Sequence, residues 1–265
     1  MAAQMRTDQA GSMTIVLFDI DLTLVDTDGA GREALELAFE ELYGVAGAFE
    51  GVPFHGRTDL DIIADALQRA SVGVDEERSD VPQEFIDKYI ANLESVLSDG
   101  RGRVLGGVES LLGRLGGRGD VALGLATGNF RRAARIKLAR YGLWDCFLDG
   151  GFGDDSADRS VVVSIGARRV AQVFEGSGSN HAAPSRADRV VVVGDSVLDV
   201  AAAHANDFGA VAVATGLTPP EALVDAGAEV VLEDLCDTEA VISAVLSATR
   251  RPVVGRGSST VGRVS

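Results

Sequence analysis

The chain is poor in the residues that staple or metallate small proteins, with two cysteines and three histidines in 265 positions. Two thiols cannot build a disulfide framework or a cysteine-rich zinc site. Cys146 and Cys236, each set among apolar residues, read as buried free thiols. His55, His181 and His204 lack the close helical spacing of a zinc-binding pair. Basic residues are also few, 24 against 40 acidic ones for a formal net charge of −16, and Lys88 and Lys137 are the two lysines. So acidic a surface repels nucleic acid and anionic membranes, which excludes both as partners; small anionic ligands then require a locally cationic site. No apolar run approaches the ~20 residues that span a bilayer. Residues 1–12 lack the apolar segment of a secretory leader, so the expected location is cytoplasmic.

Apolar sequence is ample at 46%, enough at this length to bury roughly 70–75% of the unfolded chain's surface. Short β-rich apolar runs at 14–18, 121–126, 190–193, 210–214 and 229–232 read as fully buried parallel strands. Helical patterns at 131–140, 160–173, 197–206 and 220–226 alternate with them, which predicts an α/β fold with a doubly wound, Rossmann-like parallel sheet. Residues 29–104 break the alternation with three helix-like segments, 30–43, 58–70 and 82–98, and no strong strand. They read as a helical cap inserted into a core made of residues 1–28 and 105–249, with 99–107 as the return linker. Thr58 and Asp61 have the spacing of a capping box at the start of the second segment. Residues 1–12 read as frayed, 175–188 as a surface loop and 250–265 as a disordered tail.

In an open parallel sheet, ligands gather beyond the carboxyl ends of the strands. Asp19 and Asp21 follow the first apolar run, Thr127, Gly128 and Asn129 the second, and Asp195 and Ser196 the third, with Asp199 one helical turn on. Residues i and i+2 of an extended segment face the same way, so Asp19 and Asp21 share one site. Two carboxylates ~4 Å apart repel by about 4 kcal/mol at an effective dielectric near 20. A divalent cation among the acids relieves this, and hard oxygen ligands favour Mg²⁺ over zinc. A serine hydrolase using Ser196 is a competing reading, but its nucleophile elbow is incomplete because position 198 is Leu. No G-x-G-x-x-G follows the first strand, which argues against a dinucleotide-binding module.

FDIDLTL, LATGN and VVVGDSVLD resemble motifs I, II and IV of the haloacid dehalogenase superfamily, and the helical insert resembles its C1 cap. The resemblance, which extends to phosphoglycolate phosphatase-like members, implies a Mg²⁺-dependent phosphatase acting on a small phosphorylated metabolite as monomer or homodimer. It implies that Asp19 is the nucleophile and carries an aspartyl-phosphate. Asp21 would protonate the leaving alkoxide and then activate water. Asp19, Asp195, the Asp21 carbonyl and, in support, Asp199 would hold the metal. Thr127 would bind a phosphate oxygen through its hydroxyl, with the N–H groups of Gly128 and Asn129 assisting. The family also requires a cation about thirty residues after the motif II hydroxyl. Arg159 has that separation from Thr127, whereas Lys137, two helical turns in, lies ~10 Å below the helix start; Arg159 is preferred. In the cap, Arg57 or His55 within GVPFHGRTD is expected to contact the leaving group. Leu22 stands where motif I commonly has glycine.

Three further alternatives stay open at this stage. A receiver-like phospho-acceptor shares the acid cluster but is about half as long and lacks the second acid. Dehalogenases lack an acid at the position of Asp21. Phosphonatases use a cap lysine, for which Lys88 is the candidate.

Overall fold

A computed structural model describes residues 13–72, 81–98, 100–176 and 189–248. The expected frayed start and tail lie outside these residues, as does most of the 175–188 segment.

The five apolar runs and one two-residue strand form a sheet of six parallel strands in the order β5-β4-β1-β6-β7-β8. These are β1 (Thr14–Phe18), β4 (Val121–Ala126), β5 (Gly150–Gly151), β6 (Arg189–Gly194), β7 (Gly209–Val213) and β8 (Val230–Leu232). Strand β1 is buried on both faces. Val16 and Phe18 face one apolar layer, and Ile15 and Leu17 face the other. Burying a side chain such as Phe18 completely is worth about 1.5–3 kcal/mol, so a strand whose residues after Thr14 are all apolar is stable only between two helical layers. Among the helices are α4 (Val108–Gly116), α5 (Arg131–Arg140), α6 (Arg159–Gly176), α7 (Val197–Ala205), α8 (Pro220–Asp225) and α9 (Thr238–Ser247).

The chain leaves β1 toward β4 and β5 on one side, then crosses back to lay β6, β7 and β8 on the other. The order therefore reverses between β1 and β6, where ligands of such sheets bind. Phe18 pairs with Leu125 and Val193 in register, so the segments after all three central strands emerge at one level.

Between β1 and β4 lie α1 (Ala30–Tyr43), α2 (Asp59–Ala70) and α3 (Gln83–Ser98). They share their own apolar cluster, in which Leu35, Phe39, Ile63, Phe85 and Leu93 meet Phe130 and Ala133 at the start of α5. Two short segments, β2 (Val25–Asp26) and β3 (Arg103–Val104), pair antiparallel where the helical unit leaves and rejoins the sheet. The hydroxyl of Thr58 accepts from the Asp61 N–H at 3.3 Å, as its spacing predicts. The Asp61 carboxylate accepts from Arg57 at 2.6 Å, and that pairing takes the place of the reciprocal half of the expected box.

Both cysteines are exposed, which corrects the expectation of buried thiols. Apolar neighbours in sequence do not bury a residue that sits in a 3-10 turn (Trp144–Cys146) or in the Asp234–Asp237 connection. Among the described residues no helix is long and apolar enough to cross a membrane.

Candidate active site

Asp19 and Asp195 follow β1 and β6 at the point where the strand order reverses, and Asp199 sits in the first turn of α7. One carboxylate oxygen from each lies within 4.8 Å of the others, and all three residues are buried. Burial pushes the Asp19 carboxyl up to about 6, with Arg159 opposing and Asp199 and Asp21 adding to the rise. Burial and the charges of Asp19 and Asp199 push Asp195 up to about 9, against the pull of Arg159. Asp195 Oδ2 is buried without a hydrogen-bond partner among the described residues. Gly216 backs this oxygen so closely that a Cβ there would lie 1.7 Å from it. Crowded hard donors, one of them unsatisfied, fit a divalent cation held by Asp19, Asp195 and Asp199. The cluster is thus able to bind a metal.

Arg159, at the start of α6, is itself 8% exposed and reaches into the cluster. Its Nη2 lies 2.8 Å from Asp19 Oδ1 and 2.5 Å from Asp199 Oδ1, and its Nη1 donates to the Gly56 carbonyl at 3.1 Å. Asp199 also completes a capping box with Ser196, whose hydroxyl donates to Asp199 Oδ2 at 2.6 Å. Ser196 is therefore a buried helix cap, which corrects the serine-hydrolase reading.

Asp21 lies apart from Arg159. Both of its carboxylate oxygens accept from Lys137 Nζ, at 2.8 and 2.7 Å, and Asn129 Nδ2 donates to Oδ2 at 2.7 Å. The distance argument against Lys137 is thereby corrected. Six residues of axial rise do separate it from the helix start at Arg131, but helical side chains slant toward the N-terminus, and a four-carbon stem covers the gap. Thr127 accepts from both the N–H and Nδ2 of Asn129, at 3.3 and 2.8 Å. The expected phosphate ligand Asn129 thus turns its side chain to Asp21 and Lys137, and its N–H to Thr127.

Leu22 adopts φ +58, a left-handed conformation that favours glycine. A non-glycine residue there costs roughly 1–2 kcal/mol. Hydrogen bonds from Leu22 N–H to the Val25 carbonyl (2.8 Å) and from the Thr215 hydroxyl to the Leu22 carbonyl (2.5 Å) offset it.

The helical unit closes over this arrangement. His55 Nδ1 lies 3.7 Å from Asp195 Oδ2, and its Nε2 is 2.7 Å from the Thr218 hydroxyl. Arg57 lines the cavity, but its guanidinium is committed to Asp61 (2.6 Å), Asp65 (3.0 Å) and two carbonyls. It is therefore not the free carboxylate clamp that its position in sequence implies. Its backbone instead packs on Gly128, where a Cβ would come within 2.1 Å of the Arg57 carbonyl oxygen. Lys88 pairs with Glu41 at 3.1 Å on an exposed face and does not line the cavity. The cavity measures about 270 Å³ and is bounded by the acids on one side and by Leu35, Phe54, Ile62 and Tyr89 on the other.

Asp59, absent from the sequence-based site, joins the two parts. Its N–H donates to the Gly128 carbonyl at 2.7 Å, and its Oδ2 accepts from the Phe130 N–H at 2.8 Å. Burial raises its carboxyl to about 7; Lys137 and the Phe130 N–H pull it down, and Asp21 and Asp154 push it up. The stability this group contributes is therefore fully present below the unfolded value near 3.8 and is lost as pH rises through about 7. Asp59→Asn keeps an acceptor for Phe130 and removes the titration. The melting temperature of the variant is expected to gain on the parent by a few degrees between pH 5 and pH 8. Parallel profiles in circular dichroism melts would refute this account of Asp59.

Residues 16–204 match the model of the haloacid dehalogenase-like hydrolase family. No curated protein matches the chain. Among solved structures, the chain is similar to a hydrolase from Pseudomonas syringae (20% identity, TM-score 0.57, 87% of this chain and 98% of that one). It is also similar to a protein described as a predicted phosphatase from Clostridium acetobutylicum (19%, 0.60, 87% and 99%). A third is CbbY from Rhodobacter sphaeroides in complex with phosphate (16%, 0.58, 84% and 95%). At these identities the likeness is one of fold.

Proposed function

Because the chain belongs to the haloacid dehalogenase-like hydrolase family, we propose that it hydrolyses small phosphate monoesters with Mg²⁺ through an aspartyl-phosphate. The observation that carries this reading is the buried pair Asp19 and Asp195 at the reversal of strand order, with Asp21 two residues on and Arg159 on Asp19 at 2.8 Å. That the Rhodobacter protein was solved with phosphate agrees with it.

An Asp19 oxygen attacks phosphorus, the bond from phosphorus to the ester oxygen breaks, and the departing alkoxide takes a proton from Asp21. Water then gives its proton back to Asp21 and attacks the same phosphorus, so that the bond to Asp19 breaks and inorganic phosphate leaves. Thr127 accepts two hydrogen bonds from Asn129, which leaves its own proton for a phosphoryl oxygen. Arg159 lies between Asp19 and Asp199 and supplies positive charge where the transferred group gathers negative charge. Mg²⁺, when held by Asp19, Asp195 and the Asp21 carbonyl with Asp199 in support, supplies further charge stabilisation of the phosphoryl oxygens.

The cap-side wall, with His55 near Asp195, excludes water and contacts the leaving group. A cavity of about 270 Å³ suits a small metabolite. Phosphoglycolate fits by size, but the committed Arg57 guanidinium removes the specific argument for its carboxylate. The test is phosphate release from a panel of small phosphate esters with Mg²⁺. Turnover of at least one alkyl ester is expected, and silence across the panel would end the phosphatase reading.

A further inference from the structure

The two acids of the D-x-D element have separate cations: Arg159 lies on Asp19, and Lys137 lies on Asp21. Building on the phosphatase reading, we propose that Lys137 is a positioning residue for proton transfer, fixing the Asp21 carboxyl toward the leaving group.

Lys137 is 3% exposed, on the face of α5 that also buries Ala133, Ala134 and Leu138. A buried ammonium is costly unless its protons are taken up. Here Asp21 Oδ1, Asp21 Oδ2 and Asn129 Oδ1 accept them at 2.8, 2.7 and 2.6 Å, three acceptors for three protons. Asn129 closes the network by donating to Asp21 and to Thr127. The Asp21 side chain remains 39% exposed and lines the cavity, so it is fastened from behind and open in front.

An untethered carboxyl turns about two side-chain bonds, whereas this one is fixed by contacts to both oxygens. Holding a proton-transfer group in place matters because a displacement of ~1 Å costs about 10²-fold in rate. Residue size fits the same role. A Cβ on Gly31 would lie 3.4 Å from Lys137 Nζ, so α1 passes beside the ammonium, whose compact head makes its three bonds in this space. Lys137 bonds Asp21 and Asn129; its leaving-group-selective influence runs through Asp21, whereas the link through Asn129 to Thr127 bears on both esters alike.

This role predicts a dependence on the leaving group that a merely structural role does not. Ethyl phosphate needs its alkoxide protonated, and p-nitrophenyl phosphate does not. The parameter kcat/KM reports events up to leaving-group departure. In Lys137→Met it is expected to fall about 10²-fold for ethyl phosphate and at least about tenfold less for the aryl ester. In an Asp21→Asn background the same change is expected to produce no selective loss, because the group it positions is gone. Lys137→Gln is measured alongside and carries the test if the Met variant fails to fold. Equal losses for the two esters, or a selective loss that persists in Asp21→Asn, would overturn the role of Lys137 while leaving the phosphatase reading intact. An unsubstituted chain silent on both esters and across the wider ester panel would overturn both.

Discussion

Asp19→Asn is expected to abolish turnover, leaving below about 10⁻⁴ of the parent rate, the scale on which loss of a covalent nucleophile acts. An amide oxygen is a poor nucleophile, and no other described carboxylate occupies the end of β1 beside Arg159. The fold is expected to survive, because Arg159 keeps Asp199 at 2.5 Å and is not left unpaired. Removing one of three crowded buried acids also removes repulsion, so the melting temperature is expected to stay level or rise, a common trade between activity and stability. Phosphate release and thermal melts on one preparation check both parts. Residual turnover above about one per cent of the parent's, on that same scale, would exclude Asp19 as nucleophile.

The second large effect is expected on chelation. Removing divalent cations should lower turnover by about 10³-fold or more, since metal stabilisation of a phosphoryl group is worth several kcal/mol. Mg²⁺ should restore it. The strength of Mg²⁺ binding should also depend on pH with a definite sign. Without metal, the Asp19 and Asp195 carboxyls are raised to about 6 and about 9, so around neutrality binding must displace a proton, chiefly from Asp195. Affinity therefore rises with pH, by about tenfold per unit for each proton displaced, and levels off above about 9. Titration calorimetry at pH 6, 7 and 8 checks this; an affinity that ignores pH would show that binding displaces no proton from Asp195.

The parts of the chain legible in sequence are those where one periodicity acts over many residues. Helix α1 falls on 30–43 and α5 on 131–140, both as their patterns predict. The central strands are continuous apolar runs because both faces are covered. Helices α4 and α9 have no place in the sequence reading. The first is set among glycines (Gly107, Gly113, Gly116 and Gly117) that look like loop, and the second is rich in Ser and β-branched residues that favour other states. Strands β2, β3 and β5 are two residues long, too short to carry a period.

In the site, the residues at strand ends were legible because an open sheet delivers them to one edge. The residues that join the cap-side helices to that edge were not. Reach along a helix depends on side-chain direction as well as axial rise, so rise alone sets Lys137 too far from the Asp21 carboxylate that it in fact reaches. Asp61 and Asp65, four and eight residues after Arg57, were a visible signal that its guanidinium is engaged. Asp59 offered no comparable signal, since an acid in the first helical turn is ordinary; only the docking of α2 on the Gly128–Phe130 segment gives it a role.

Helix α5 contributes Phe130 and Ala133 to the apolar cluster of α1–α3 and, one turn further, Lys137 to Asp21. Modular exchange of the lid for that of a relative would therefore be a poor graft unless α5 travelled with it. The transplant would strip two anchors of their packing partners and disturb the foothold of the ammonium in the same operation.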